Sequence, residues 1–179
     1  MIILGVDPGT NYTGFGIVNF DGNSLKRIHY GHIKLAPSLS LPEKLELIYK
    51  ELVKMIRLYK PDEFAIESAF YGKNVQSAMK IGYARGVCIL AARQNKLLLN
   101  EYSPREIKKS VVGRGGASKE QVCFMIKTLL SLKNEKMRYD ESDALAVSIC
   151  HAFRMKMPAK KSKDWKSFIE QFPERVVNN

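Results

Sequence analysis

The sequence contains few residues of the kinds that bind transition metals or form disulfides. It has three cysteines and three histidines among 179 residues. The cysteines, Cys88, Cys123 and Cys150, lie in apolar stretches with helical character, and no two of them have the spacing of metal ligands. This pattern indicates neither a zinc site nor a disulfide framework. We predict that all three are reduced residues in the core of a cytoplasmic protein.

Long hydrophobic runs are absent as well. No stretch approaches transmembrane length. The apolar run at the N-terminus is too short for a secretory signal, and no basic region precedes it. We therefore expect a soluble intracellular protein that does not associate with a membrane.

Acidic residues are scarce relative to basic ones. Eighteen Asp and Glu residues oppose 29 Lys and Arg residues, which gives a net charge of +11. Such an imbalance in a chain of this size points to a polyanionic partner. Nucleic acid is favoured over a membrane surface, because no segment combines a basic face with an aromatic face.

The pattern of apolar residues predicts one α/β domain with a mixed five-stranded sheet. Three strands are predicted first, over residues 2–6, 14–20 and 25–35, with a hairpin turn at 21–23. Strands at 63–67 and 97–100 then alternate with helices that begin near residues 42, 74, 104, 118 and 140. We expect helices on both faces of the sheet. The domain should cover residues 1–155, and residues 156–179 form a basic extension that could contain a short docking helix.

Four carboxylates occupy positions that are costly to bury without a partner. Asp7 and Glu67 each end a predicted core strand, and Asp140 and Asp143 lie one turn apart at the start of a helix. Each has a simpler explanation when it is taken alone. Asp7 could cap its own turn, Glu67 could be solvated, and the helical pair could interact only with the helix dipole.

Taken together, these carboxylates favour a metal site. If the strand ends and the helix N-terminus converge, four negative charges share one small space and need a cation. A site made only of oxygen ligands suits Mg²⁺ or Mn²⁺. Acidic sites that hold two such ions about 4 Å apart are typical of phosphodiester hydrolysis. With the basic composition, the cluster predicts a nuclease.

A second pattern concerns the helix predicted over residues 74–94. Ala78, Gly82 and Gly86 recur every four residues, although a glycine inside a helix costs about 1 kcal/mol relative to alanine. This small-residue stripe would allow another backbone to approach closely. Its partner is either the sheet of the same chain or the same helix of a second copy.

The chain resembles the RuvC family of bacterial Holliday-junction resolvases, within the RNase H-like (retroviral integrase) superfamily. The resemblance spans about residues 2–155. It rests on five stretches: DPGTNYTGFG (7–16), AIESAFYGKN (65–74), ARGV (84–87), VVG (111–113) and DESDALA (140–146). The second stretch, with its continuation into Ala78 and Gly82, is the most specific.

The resemblance implies an RNase H-like fold and a structure-specific endonuclease of DNA recombination and repair. Such an enzyme nicks two symmetric strands of a four-way junction and leaves 5′-phosphate and 3′-hydroxyl ends. Asp7, Glu67, Asp140 and Asp143 match the catalytic metal ligands of the family. Two Mg²⁺ ions per active site are implied, with Mn²⁺ as a substitute. Some relatives carry His at the position of Asp140, whereas this chain keeps the site all-oxygen.

The resemblance also implies the residues and proteins that contact the enzyme's substrate. Phe70 matches an aromatic residue that stacks on bases opened at the junction centre. Lys108 and Lys119 match basic residues that support DNA near the site. The family acts as a homodimer, for which the small-residue stripe is the candidate interface. The branch-migration proteins RuvA and RuvB are the implied partners.

Three other functions are compatible with parts of the sequence. Residues 7–10 also resemble the phosphate loop of actin-like ATPases, but that class needs two such domains and a second phosphate loop. A non-enzymatic DNA-binding module would have no reason to hold four carboxylates at the ends of strands and helices. A related RNase H-like nuclease that processes RNA is closer in chemistry, but it lacks the match at residues 70–74.

Overall fold

The structure is a computed structural model that describes residues 1–68, 75–132 and 134–156. These ranges contain five strands and five helices. In chain order they are β1 (Ile2–Asp7), β2 (Tyr12–Phe20), β3 (Leu25–Lys34), α1 (Leu41–Tyr59), β4 (Glu63–Glu67), α2 (Val75–Gln94), β5 (Leu98–Tyr102), α3 (Pro104–Val112), α4 (Lys119–Leu129) and α5 (Tyr139–Lys156).

The strands form one mixed sheet in the order β3-β2-β1-β4-β5. β2 runs antiparallel to both β1 and β3, whereas β4 is parallel to β1 and to β5. This arrangement confirms the predicted five-stranded sheet and places β3 at an edge. β5 extends to Tyr102, two residues beyond its predicted end, because its pairing with β4 continues until Glu67 lies opposite Tyr102.

Helices cover both faces of the sheet, as predicted. Side chains alternate between the faces along each strand, so Leu4 belongs to one core and its neighbour Ile3 to the other. Helices α1 and α2 pack on the face of Leu4. Helices α3, α4 and α5 pack on the face of Ile3. The central strands of the sheet are therefore buried in the middle of three layers.

Glycines in β2 allow α5 to approach the sheet closely. A Cβ atom at Gly16 would lie 2.8 Å from the Cα atom of Leu145, nearer than real Cβ contacts come. A Cβ atom at Gly14 would collide with the backbone oxygen of Asp140. Since glycine removes this obstacle, the first turn of α5 rests directly on β2, next to the end of β1.

Two of the three cysteines lie in the core, as predicted. Cys88 and Cys150 are buried free thiols, whereas Cys123 is partly exposed. Helix α4 turns Val122 and Ile126 into the core, which leaves Cys123 at the side of that face. Within the ranges that the structure describes, no helix is long and apolar enough to cross a membrane. Phe70 and the extension from residue 157 onward lie outside those ranges.

Candidate active site

Asp7 and Glu67 are the last residues of β1 and β4, two neighbouring parallel strands, so they lie at the same end of the sheet. β1 and β4 are paired from Ile3 opposite Glu63 to Val6 opposite Ile66. The next residue of each strand is the carboxylate. The carboxyl ends of parallel strands are a common location for ligand sites in open α/β sheets. The predicted convergence of the two strand ends is therefore present.

Asp143 joins these two carboxylates from α5. The three side chains line one cavity of about 220 Å³, together with Lys108 of α3 and Lys119 of α4. The other lining residues are Pro104, Ile107 and Val122. We call this space the carboxylate cavity. It combines acidic residues from two strands and one helix with basic residues from two further helices.

Lys119 makes a direct polar contact with Asp143 within this cavity. Its Nζ atom donates a hydrogen bond to Oδ2 of Asp143 over 3.0 Å. Lys119 is the first residue of α4, and Ser118 caps that helix by accepting a hydrogen bond from the backbone N–H of Gln121. This local capping motif therefore fixes where the lysine enters the cavity.

Burial and mutual repulsion raise the pKa values of the three carboxyl groups. Burial, followed by the charges of Glu67 and Asp143, raises the pKa of Asp7 well above its ordinary value. Burial and Asp143 raise the pKa of Glu67 to about 7, although Lys119 and Lys108 act to lower it. Burial also raises the pKa of Asp143 against the opposing hydrogen bond from Lys119. The two lysines therefore do not fully compensate the acidic charge.

Asp140, the fourth predicted ligand, does not line the carboxylate cavity. Its Oδ2 atom lies 3.5 Å from Nε of Arg138. Both side chains line an adjoining cavity of about 400 Å³ with Lys119, Met137 and Tyr139. The charge of Asp140 nevertheless contributes to raising the pKa of Asp7. The structure thus brings three of the four carboxylates together and holds the fourth next to them, beside an arginine.

The donor set fits a hard divalent cation. Every acidic group at the carboxylate cavity offers oxygen, and the described residues that line it include no His or Cys. Oxygen-only ligands select Mg²⁺ or Mn²⁺ over zinc. Over the described residues, no three Asp, Glu, His or Cys side chains are grouped closely enough to hold an ion as they stand. Ion binding would therefore require the carboxylates to draw together, and the repulsion between their negative charges opposes this until a cation is present.

The remaining predicted site residues fall in three places. Lys108 and Lys119 line the carboxylate cavity, and Phe70 lies outside the described residues. The small-residue stripe is on α2, where Gly82 and Gly86 are exposed. A Cβ atom at either glycine would meet nothing within 4 Å in the described chain. The two glycines therefore do not pack against the sheet of their own subunit.

Sequence reasoning missed Arg138 and Tyr12, which meet at the rim of the site. The guanidinium carbon of Arg138 lies 4.0 Å from the centroid of the Tyr12 ring. Arg138 lies two residues before Asp140, and this proximity was the one signal that could have drawn attention to it. Nothing in the sequence links it to Tyr12.

Comparisons with known proteins give a consistent family. The family model described as "Crossover junction endodeoxyribonuclease RuvC" matches residues 3–151. A protein of that name from Chloroherpeton thalassium is 43% identical over 185 residues, which cover 99% of this chain and 100% of the relative. Another from Cytophaga hutchinsonii is 44% identical over 176 residues, which cover 98% of this chain and 88% of the relative.

Solved structures of Holliday junction resolvases are also similar to this chain. Thermus thermophilus RuvC in complex with Holliday junction substrate superposes with a TM-score of 0.82 at 29% identity, covering 88% of this chain and 96% of that one. The yeast mitochondrial Holliday junction resolvase superposes with a TM-score of 0.62 at 13% identity, covering 95% of this chain and 85% of that one. At that identity the second likeness is one of fold alone.

Proposed function

The chain belongs to the RuvC family of crossover junction endodeoxyribonucleases, and from this we propose that it resolves Holliday junctions in DNA recombination and repair. It nicks two symmetric strands by metal-dependent hydrolysis and leaves 5′-phosphate and 3′-hydroxyl ends. One observation carries the proposal: Asp7, Glu67 and Asp143 converge from three separate elements in one cavity beside Lys108 and Lys119.

The proposed cofactor is Mg²⁺, with two ions per active site and Mn²⁺ as a substitute. Asp7, Glu67 and Asp143 would hold the ions, and Asp140 would join them from the adjoining cavity. When bound, such ions activate a water molecule near neutral pH and stabilise the charge on the leaving oxygen. Burial and, to a lesser extent, mutual repulsion raise the pKa values of these carboxyl groups, and this supports the assignment because a divalent cation would stabilise their ionised forms.

Lys108 and Lys119 are proposed to hold DNA phosphates at the entrance to the site. Both line the carboxylate cavity, and the net charge of +11 attracts DNA over a longer range. Phe70 is proposed to stack on a base opened at the junction centre, and stacking of this kind is worth about 1–3 kcal/mol per base.

Replacing either lysine by alanine should weaken junction binding and reduce its dependence on salt. Each phosphate contact contributes about 0.9 to the slope of log affinity against log salt concentration on duplex DNA. We therefore expect Lys108→Ala and Lys119→Ala each to lower that slope by about one in a binding titration. Lys127→Ala, in the last turn of α4, is the matched control and should retain the wild-type slope. Unchanged slopes in both test variants would place these lysines away from the DNA.

A homodimer is proposed because resolution requires two symmetric nicks, whereas one active site cuts one strand. Helix α2 supports this assembly with an exposed apolar face around the small-residue stripe. Val75 is 70% exposed and Met79 is 54% exposed, and Tyr83 and Leu90 continue the same face of the helix. An uncovered apolar face of this kind is typical of an interaction surface.

Gly82→Leu should convert the protein into a folded monomer. Because a Cβ atom at Gly82 meets nothing within its own subunit, the larger side chain can be tolerated in the monomer but would separate two apposed helices. Sedimentation over a range of protein concentrations should show the loss of the dimer, and junctions should be nicked once instead of twice. Lys80→Leu adds the same side chain to α2 outside the apolar face and should remain dimeric. A folded, fully dimeric Gly82→Leu variant would remove this helix from the interface.

The proposed partners are the branch-migration proteins RuvA and RuvB, and the proposed location is the cytoplasm. Both proposals follow from the family resemblance, and the free cysteines agree with a reducing compartment.

The proposed function is tested by offering the protein a four-way junction and a linear duplex of the same sequence, with and without Mg²⁺. We expect paired symmetric nicks in the junction only when Mg²⁺ is present, and little cutting of the duplex. Ligation of the products tests for 5′-phosphate and 3′-hydroxyl ends. Equal cutting of both substrates, or cutting in a metal chelator, would contradict the proposal.

A further inference from the structure

Arg138 immediately precedes α5, and three contacts hold it in place. Its backbone N–H donates to Oε2 of Glu141 over 2.9 Å, and its backbone oxygen accepts from the N–H of Ser142. Its guanidinium group lies over the ring of Tyr12, with 4.0 Å between the guanidinium carbon and the ring centroid. A cation held over an aromatic face in this way is attracted by the ring. The Arg138 side chain is still 47% exposed, so it remains accessible.

The ring beneath Arg138 is itself held in place. Tyr12 contacts the ring of His32 edge-on, with 5.3 Å between the centroids. Nδ1 of His32 and Oε1 of Glu141 are 2.8 Å apart. Glu141 therefore ties β3 to the first turn of α5 with one carboxylate oxygen and holds the backbone of Arg138 with the other. The arginine, its aromatic platform and the helix start form one connected unit.

Of this unit, Arg138 lines the adjoining cavity of about 400 Å³. Arg138 and Lys119 provide two positive charges there, against the single carboxylate of Asp140. Lys119 also lines the carboxylate cavity, so the two cavities share a cation and lie next to each other. Lys119 is paired with Asp143, so if Asp140 moves to bind a metal ion, it is Arg138 that loses its carboxylate partner in a space that is open to an anion.

We propose that Arg138 binds a backbone phosphate of the junction DNA next to the carboxylate cavity, and that this phosphate replaces Asp140 as its partner. Tyr12 is the platform that holds the guanidinium ready for the exchange. The inference rests on the proposed function and adds to it a DNA contact and a positioning role toward Asp140. A planar guanidinium suits the task because it can donate two parallel hydrogen bonds to a phosphate.

The DNA contact is tested by measuring junction binding at several salt concentrations in Mg²⁺. All variants carry Asp7→Asn in addition, because that substitution is expected to abolish cutting. Adding Arg138→Gln should weaken binding at low salt and lower the slope of log affinity against log salt by about one. Arg138→Lys retains the charge and should restore the slope. Arg154→Gln is the matched control, because Arg154 lies near the other end of α5, is also 47% exposed and is also paired with a carboxylate. An unchanged slope in Arg138→Gln overturns the inference.

The positioning role is tested by metal binding to the protein without DNA, with Asp7 intact. Removing the positive charge of Arg138 releases Asp140, so Arg138→Gln should bind Mn²⁺ several-fold more tightly than the wild type in a calorimetric titration. Arg154→Gln should match the wild type. Unchanged Mn²⁺ affinity in Arg138→Gln overturns the exchange with Asp140.

These experiments distinguish a failure of the proposed function from a failure of the inference about Arg138. A wild-type protein that neither prefers nor cuts junctions contradicts the proposed function itself. A wild-type protein that does both, with Arg138→Gln variants that keep their slope, contradicts this inference alone. Thermal unfolding of each variant shows whether the fold is retained, and Arg138→Met, which also removes the charge, replaces Arg138→Gln in both tests if the glutamine variant is unstable.

Discussion

Asp7→Asn is expected to abolish junction cleavage while junction binding stays the same or becomes tighter. The substitution removes one carboxylate, a proposed metal ligand, from the carboxylate cavity without changing the size of the side chain. Loss of one member of a catalytic unit commonly lowers the turnover rate by on the order of 10³-fold or more. Binding should not suffer, since one negative charge near the DNA phosphates has also been removed.

The measurement is single-turnover cleavage of a four-way junction, with a binding titration on the same DNA. Asp62→Asn is the control, because Asp62 accepts a hydrogen bond from the backbone N–H of Ile2, at the opposite end of β1. An asparagine oxygen can accept the same bond, so this variant should cut at the wild-type rate. If Asp7→Asn lost binding as severely as cleavage, Asp7 would be a structural residue.

The stability of the metal-free protein should fall as the pH rises from about 5 to about 8. Burial and neighbouring charges raise the pKa of Glu67 in the folded state to about 7 from an ordinary value of 4.5. At Glu67 the folded state therefore holds a proton that the unfolded chain releases over this range, and stability is lost as the group ionises. A pKa rise of this size corresponds to roughly 3 kcal/mol. Asp7 and Asp143, whose pKa values are also raised, act in the same direction. Burial lowers the pKa of His151, which opposes this loss over the lower part of the range but involves one group against three.

Mg²⁺ should reverse this loss, because it favours the ionised carboxylates. Urea unfolding across the pH range, in a chelator and in Mg²⁺, measures both effects. Glu67→Gln removes one titrating group and should be more stable than the wild type in the chelator at about pH 8, by up to roughly 3 kcal/mol. Glu46→Gln, at an exposed ion pair with Lys50 on α1, should change stability by less than about 1 kcal/mol. Stability that rises with pH in the chelator would contradict the predicted charge repulsion.

Much of the fold could be predicted because its signals are local in the sequence. Proline and serine mark the starts of α1 and α3, and Ser118 forms a capping box at the start of α4. Alternating apolar residues and the turn at 21–23 define the hairpin of β2 and β3. Asp7 and Glu67 could be placed together since both end buried strands that the topology makes parallel. The glycines of β2 were visible, but their role became clear only with α5 packed against them.

The sequence by itself determined the sheet, the helices and the identity of the four acidic residues, because apolar periodicity and helix capping act over a few neighbouring positions. Only the tertiary structure decided that Asp143 enters the carboxylate cavity while Asp140 faces Arg138. It also decided that Gly82 and Gly86 point away from their own sheet. These outcomes depend on side chains that meet across the fold, as Arg138 meets Tyr12. No local pattern encodes such meetings, because they arise from how whole elements pack.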